Sequence, residues 1–274
     1  MSDNTIDKTF PLTGQITLQV RIAHGSVTVE PDDDLTEARV HIEADKHAAE
    51  LLEQTTVQLR DATLSVLAPR QGGIFDLPVF GAWRAGRGLQ VHVAVPSGTA
   101  VKISTFTAPI RILGRVGDAD LSFGSGEAAA RHVDGDLRLR YGSGTAKMVH
   151  VSGSVQLRSG SGDAVFGEVD GNLTAGCGSG NLQVRVMHGS VRSRCGSGNA
   201  RLGEVHGNVD VASGSGGLEL GLPEGVTAQL DVHTGSGQVR SDLPIEDGPK
   251  SSRSEAIRVR ARTGSGDVRL FRAA

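Results

Sequence analysis

Aromatic side chains are scarce in this chain: Trp83 and Tyr141 are the only members of their types, beside seven phenylalanines in 274 residues. A core so poor in large rings has to be built from small aliphatic side chains used many times over, and such cores suit stacked strands. Only Cys177 and Cys195 are present, too few for a disulfide framework and in keeping with two reduced, partly buried thiols in a reducing compartment. The net charge of −3 is too small to argue for general attraction to nucleic acid or membrane. No stretch approaches the roughly 18 apolar residues that cross a bilayer. The opening residues, beginning Met1-Ser2-Asp3-Asn4, lack the basic start and apolar run of a signal peptide. These absences read together as a soluble, cytoplasmic chain with no transmembrane segment.

Glycine, in contrast, occurs 38 times, and it is periodic. Gly-Ser-Gly begins at Gly124, Gly142, Gly160, Gly178, Gly196 and Gly214, six copies spaced by 18 residues, and recurs at Gly235 and Gly264 after insertions. Numbering each repeat from its first glycine, position 5 holds Ala128, Ala146, Ala164, Leu182, Ala200 and Leu218, and position 7 holds Ala130, Met148, Phe166, Val184, Leu202 and Leu220. Position 10 holds Val133, Val151, Val169, Met187 and Val205, and position 14 holds Leu137, Val155, Leu173, Val191 and Val209. Position 12 is glycine in each of those five copies.

Apolar residues at every second place, on either side of a glycine, describe two short strands per repeat with one face inward. No single repeat can bury that face alone, so repeats must stack and lay like side chains in rows. The expected fold is all-β: a single-stranded β-helix or β-solenoid with 18-residue coils. The glycines at positions 1, 3 and 12 are expected where the chain reverses, because glycine enters the left-handed region at little steric cost. Residues 106–274 form the solenoid in this reading, with an insertion loop at about 242–255. Residues 1–105 form an irregular β region and cap that contains the loop 69–88. Strand candidates there are Ile16–Val20, Gly25–Val29, Ala38–Ile42 and Leu64–Leu67, with one short helix near His47–Gln54.

The repeat, together with Leu222-Pro223-Glu224-Gly225-Val226, His233-Thr234-Gly235-Ser236-Gly237 and Arg262-Thr263-Gly264-Ser265-Gly266-Asp267-Val268, resembles a bacterial β-strand-repeat family of unknown function usually labelled "putative adhesin". The likeness covers most of the chain and is strongest from about Val93 onward. It implies a β-helical fold. The family has no established catalytic residues, so the resemblance assigns none here.

Three groups of residues are candidates for contact with other molecules. Outward positions 15 and 17 place Arg138, Arg140, Arg158, Arg192 and Arg194 on one sheet face, where they could attract a polyanion; the competing reading is solubility and cross-strand pairing. Phe75, Phe80 and Trp83 share one Gly- and Pro-containing segment, a candidate surface for a protein partner or self-association. Turn positions 9 and 11 collect His132, His150, Glu168 and Glu204 in one column and Asp134, Asp170, His188 and His206 in the other. His150, Glu168, Asp170 and His188 are of the right types for zinc or manganese, but mixed polar columns are also the ordinary dress of an exposed turn, and the expectation is no metal and no cofactor.

There is no phosphate-binding loop and no aromatic platform for single-stranded nucleic acid. The acids are dispersed along turns instead of gathered in a cleft. The reading is a non-catalytic scaffold or binding module. The alternatives are a carbohydrate-active β-helix enzyme and a polyanion or cell-envelope binder working through the arginine face.

Overall fold

The computed structural model describes residues 4–45, 48–69, 88–243 and 256–273. Over these residues the chain is all-β, with one short helix, Ala49–Glu53. It divides into two units, Met1–Asp134 and Gly135–Ala274.

In the second unit the rungs run parallel with partners 18 residues apart. Leu137 lies beside Val155, Val155 beside Leu173, Leu173 beside Val191, and Val191 beside Val209. All five are at most 2% exposed. Ala146, Ala164, Leu182 and Ala200 form a second such row, and Met148, Phe166, Val184 and Leu202 a third, all of them buried and Ala200 the most exposed at 8%. Period-two alternation therefore does what strand geometry requires: these inward rows are apolar and dry, and outward rows are polar. The register is fixed by these rows, since a slip of one residue would turn each of them into water.

The Gly-Ser-Gly triplet plays a different part from the one expected. Leu137–Val151 and Val155–Val169 are continuous 15-residue strands that run straight through it. Only its third glycine has positive φ, as at Gly144, Gly180 and Gly198. The first glycine is required by close approach: a Cβ on Gly178 would stand 2.6 Å from the carbonyl oxygen of Gly160, one rung earlier. Gly171, at position 12, is crowded in the same way by Gly153 and Ser154 backbone.

Two outward columns carry a feature the hydrophobic pattern did not announce. At position 13, Asp136 accepts from the Ser154 amide (2.8 Å), Ser154 from Asn172 (3.3 Å), Asn172 from Ser190 (2.9 Å), Ser190 from Asn208 (3.3 Å), and Asn208 from Arg258 (2.9 Å). At position 4, Asp163, Asn181 and Asn199 do the same for the next rung's amide. These short side chains satisfy turn N–H groups that the ladder leaves over.

The last rungs are not in chain order. Val209–Ser215 pairs with Ile257–Ser265, and that strand pairs on its other side with Ala228–Ser236. In that order Ile257, Val259 and Ala261 are buried, whereas Leu230 and Val232 are only half-buried.

The first unit uses the same parallel stacking with less regular spacing. Leu64, Leu18, Val101 and Ala119 lie side by side on successive strands, as do Val91, Val27, Ile110 and Ala128. The 18-residue step is present in Ile103↔Leu121 and Ile112↔Ala130 and shifts between Ala130 and His132. Leu89–Pro96 is covered by two antiparallel strands, Glu37–Ala44 and then Thr5–Pro11, and Thr56–Arg60 folds back on Thr63–Leu67.

Candidate functional site

The turn that joins the two strands of each rung gathers histidines and carboxylates in the second unit. Backbone bonds between rungs fix its path: the Asp170 amide donates to the Val151 carbonyl (3.0 Å), His188 to Val169 (2.9 Å) and His206 to Met187 (2.8 Å). Side chains at position 9 then meet those at position 11 of the following rung, a sequence step of 20. His150 Nε2 lies 2.9 Å from Asp170 Oδ2, and His188 Nε2 lies 3.1 Å from Glu168 Oε1. His188 Nε2 is also 3.8 Å from Asp170 Oδ1. Where position 9 is Val186 the diagonal partner is missing, and His206 pairs instead with Glu204 of its own rung at 3.0 Å, its ring stacked on His188 with centroids 5.1 Å apart. In the first unit, His132 and Asp134 make a similar pair at 3.0 Å. Thus Glu168, Asp170, His188 and His150 are brought together, with ligand-type atoms of the first three within 4.8 Å of one another.

The outward face of the strand that follows carries the arginines. Arg138 stands beside Gln156 and Gln156 beside Thr174 at position 15, and Arg140 beside Arg158 and Arg158 beside Gly176 at position 17. Arg192 and Arg194 occupy the next rung. Asp210 lies one rung further and binds both: its carboxylate takes Arg194 in two contacts, 2.9 and 3.2 Å, and Arg192 at 3.5 Å. The hydrogen bonds from Arg194, with the positive charge of Arg194, Arg192 and Arg260, hold the Asp210 carboxyl below the usual carboxylate range, and the same bonds raise Arg194.

The reordered last rungs extend the face. Arg260 falls beside Asp210, and Arg262 beside Ala212, with Asp231 one rung beyond, 3.1 Å from Arg260 and 3.7 Å from Arg262. These residues were missed because the period breaks at the insertions, yet Arg260 and Arg262 precede Gly264 by the same four and two residues that separate Arg192 and Arg194 from Gly196. Within columns 15 and 17 of this unit the tally is seven arginines (138, 140, 158, 192, 194, 260, 262) against two aspartates (210, 231), an excess of five positive charges.

Cys177 and Cys195 neighbour each other at position 18 and are joined by a disulfide, with Cα atoms 4.6 Å apart. That corrects the expectation of two reduced thiols: one rung of separation already lies within the Cα range that a disulfide spans. The candidate partner residues Phe75, Phe80 and Trp83 lie outside the described residues, as does most of the insertion after Leu243. Among the described residues no helix is long and apolar enough to cross a membrane.

No curated protein matches the chain. Solved structures to which the chain is similar include a "putative adhesin" from Bacteroides fragilis, 13% identical, covering 98% of both chains with a TM-score of 0.45. A "putative lipid binding protein" from Parabacteroides distasonis is 8% identical over 99% of this chain and 98% of that one, with a TM-score of 0.43. A "putative cell adhesion protein" from Clostridium sporogenes is 11% identical over 98% and 99%, at 0.29. The Toastrack DUF4097 family model matches residues 16–272, and the chain belongs to that family.

Proposed function

We propose that this protein is a non-catalytic binding module, a β-solenoid of 18-residue coils, whose arginine face docks an anionic polymer. The observation that carries the reading is the excess of five positive charges in two adjacent columns of one sheet face. Rungs repeat about every 4.8 Å, so the face offers cations at intervals of one or two rungs, a spacing suited to a chain of phosphate, sulfate or carboxylate groups and not to a single small anion. Asp210 ties Arg192 and Arg194 into a fixed position, which lowers the ordering cost of a contact made by their exposed edges.

The interior supports a non-enzymatic reading. Among the described residues the buried polar side chains are Thr28, Thr55, Ser65, Thr99, Ser159, Ser193 and Thr263; none carries a carboxylate, imidazole or amine for acid–base work.

The test is binding of labelled dextran sulfate and of inorganic polyphosphate to the full chain across a salt series. If three arginine contacts form and counterion release follows the duplex-DNA coefficient, affinity falls about 40-fold between 50 and 200 mM salt. The triple change Arg140→Ser, Arg158→Ser, Arg194→Ser abolishes most of that dependence. Affinity indifferent to salt, or unchanged in the triple variant, overturns the proposal.

A further inference from the structure

We propose that Glu168, Asp170 and His188 form a divalent transition-metal site on the turn edge of the second unit, with His150 as the positioning residue that holds Asp170. This is independent of the arginine face, which lies on the outward surface of the neighbouring strand.

Three observations lead to it. First, the spacing is that of ligands. A zinc ion bound at about 2.0–2.2 Å in tetrahedral geometry needs ligand atoms about 3.4 Å apart. His188 Nε2 stands 3.1 Å from Glu168 Oε1 and 3.8 Å from Asp170 Oδ1, distances that bracket that value. In the shorter contact a proton on Nε2 bridges to the Glu168 carboxylate. A divalent cation can take the place of that proton while Nδ1 carries it instead, leaving the neutral imidazole that metals bind.

Second, the positions are set before any ion arrives. Glu168 and Asp170 sit on one rung and His188 on the next, each held by an inter-rung strand or turn contact: Glu168 by its register with Val186, Asp170 by its bond to Val151, and His188 by its bond to Val169. The ion therefore bridges two rungs whose separation the β-ladder already fixes, so little backbone order is lost on binding.

Third, the three ligands are themselves supported. Asp170 offers one oxygen to His188 and the other to His150, 2.9 Å away, the arrangement in which an outer group orients a ligating carboxylate. His206 stacks behind His188, and Arg185 approaches the far oxygen of Glu168 at 3.8 Å, leaving Oε1 to the imidazole. The side chains of Glu168, Asp170 and His188 are between 34% and 44% exposed, open enough for an ion to enter from solvent with water completing its shell. One imidazole and two carboxylates select zinc, manganese or cobalt over magnesium, which favours an all-oxygen shell.

The experiment uses the full chain stripped with chelator and dialysed, titrated with zinc in a calorimeter and with cobalt(II) as an optical probe. The expected result is one saturable equivalent of zinc, a visible cobalt band from a site of low coordination number, and no competition from equimolar magnesium. His188→Ala and Asp170→Asn each weaken zinc binding at least about 100-fold. His150→Gln weakens it about tenfold, the usual size of an outer-partner effect. Glu219→Gln, three rungs further along the same stack of strands, and Arg158→Ser, on the arginine face, leave it unchanged. Circular dichroism confirms that each variant is folded. The proposal fails if wild type takes up no zinc at one equivalent, or if His188→Ala and Asp170→Asn bind as wild type does, which would assign uptake to other histidines.

Discussion

Phe166 is the only aromatic residue in its row of the second unit, between Met148 on one side and Val184 on the other. It is 1% exposed and its neighbours 2% and 1%, so truncation removes a ring that has no contact with water. Replacing Phe166 by Ala deletes that burial and opens a cavity whose floor and roof are neighbouring rungs. Those rungs are pinned by parallel backbone hydrogen bonds and cannot collapse into the space. The loss belongs in the upper part of the range for Phe→Ala, about 4–5 kcal/mol. Phe166→Leu should be far milder, below about 1.5 kcal/mol, because Leu202 and Leu220 occupy the same row in later rungs and show that the row accepts that shape. The assay is urea denaturation followed by far-ultraviolet circular dichroism, comparing midpoints at constant slope. A Phe166→Ala loss under about 1 kcal/mol, or a Phe166→Leu loss equal to it, would refute the packed-row account.

Asn172→Ala removes the acceptor of the Ser190 amide and should cost about 0.5–1.5 kcal/mol in the same assay, with faster amide exchange at Ser190; no change in exchange would argue against the position-13 ladder. Gly180→Ala places a Cβ on a residue at φ +135°, 2.8 Å from Gly162 backbone nitrogen and carbon, and should destabilise by at least about 2 kcal/mol; a neutral effect would show that the rungs are farther apart. Asp210 has a folded-state pKa below its unfolded value, so its contribution to stability is present above the ordinary aspartate value near 4 and is lost as pH falls through the depressed one. Asp210→Asn should therefore flatten the acid limb of the stability–pH curve below about pH 4, and an unchanged limb would contradict the Arg194–Asp210 pairing.

Much of the fold was legible because a fixed period makes the inward columns visible without any structural information. Leu137, Val155, Leu173, Val191 and Val209 could be aligned from the sequence alone, as could Ile110 and Ile112 with Ala128 and Ala130. The four N-terminal strand candidates also correspond to strands, Thr17–Arg21, Gly25–Asp32, Glu37–Ala44 and Thr63–Leu67, and the short helix falls within the expected stretch.

What escaped was whatever depends on partners the period does not name. Antiparallel Thr5–Pro11 and Glu37–Ala44 pair across a long separation that no repeat encodes. The place of Ile257–Ser265 between Val209–Ser215 and Ala228–Ser236 is not written in the pattern, because Ile257, Val259 and Ala261 in one strand match Ala228, Leu230 and Val232 in the other in kind. At the turns, residue types showed that histidines and acids gather at positions 9 and 11, but the pairing runs diagonally, at a step of 20 and not 18, and only the geometry of the turn determines that. The asparagine and serine ladders were written in the sequence as columns 4 and 13, and were passed over because polar turn residues are so often merely solvated.

The central claim is that residues 18 apart stand on neighbouring rungs. Spin labels on the exposed Gln156 and Thr174, in a background with Cys177 and Cys195 replaced by the serine found at Ser159 and Ser213 of the same column, measure it directly. Their α-carbons should lie one rung apart, about 4.8 Å, giving strong dipolar broadening, whereas labels at Gln156 and Arg192 should be about two rungs apart and clearly weaker. Equal broadening in the two pairs, or none in the first, would contradict the stacked-rung account.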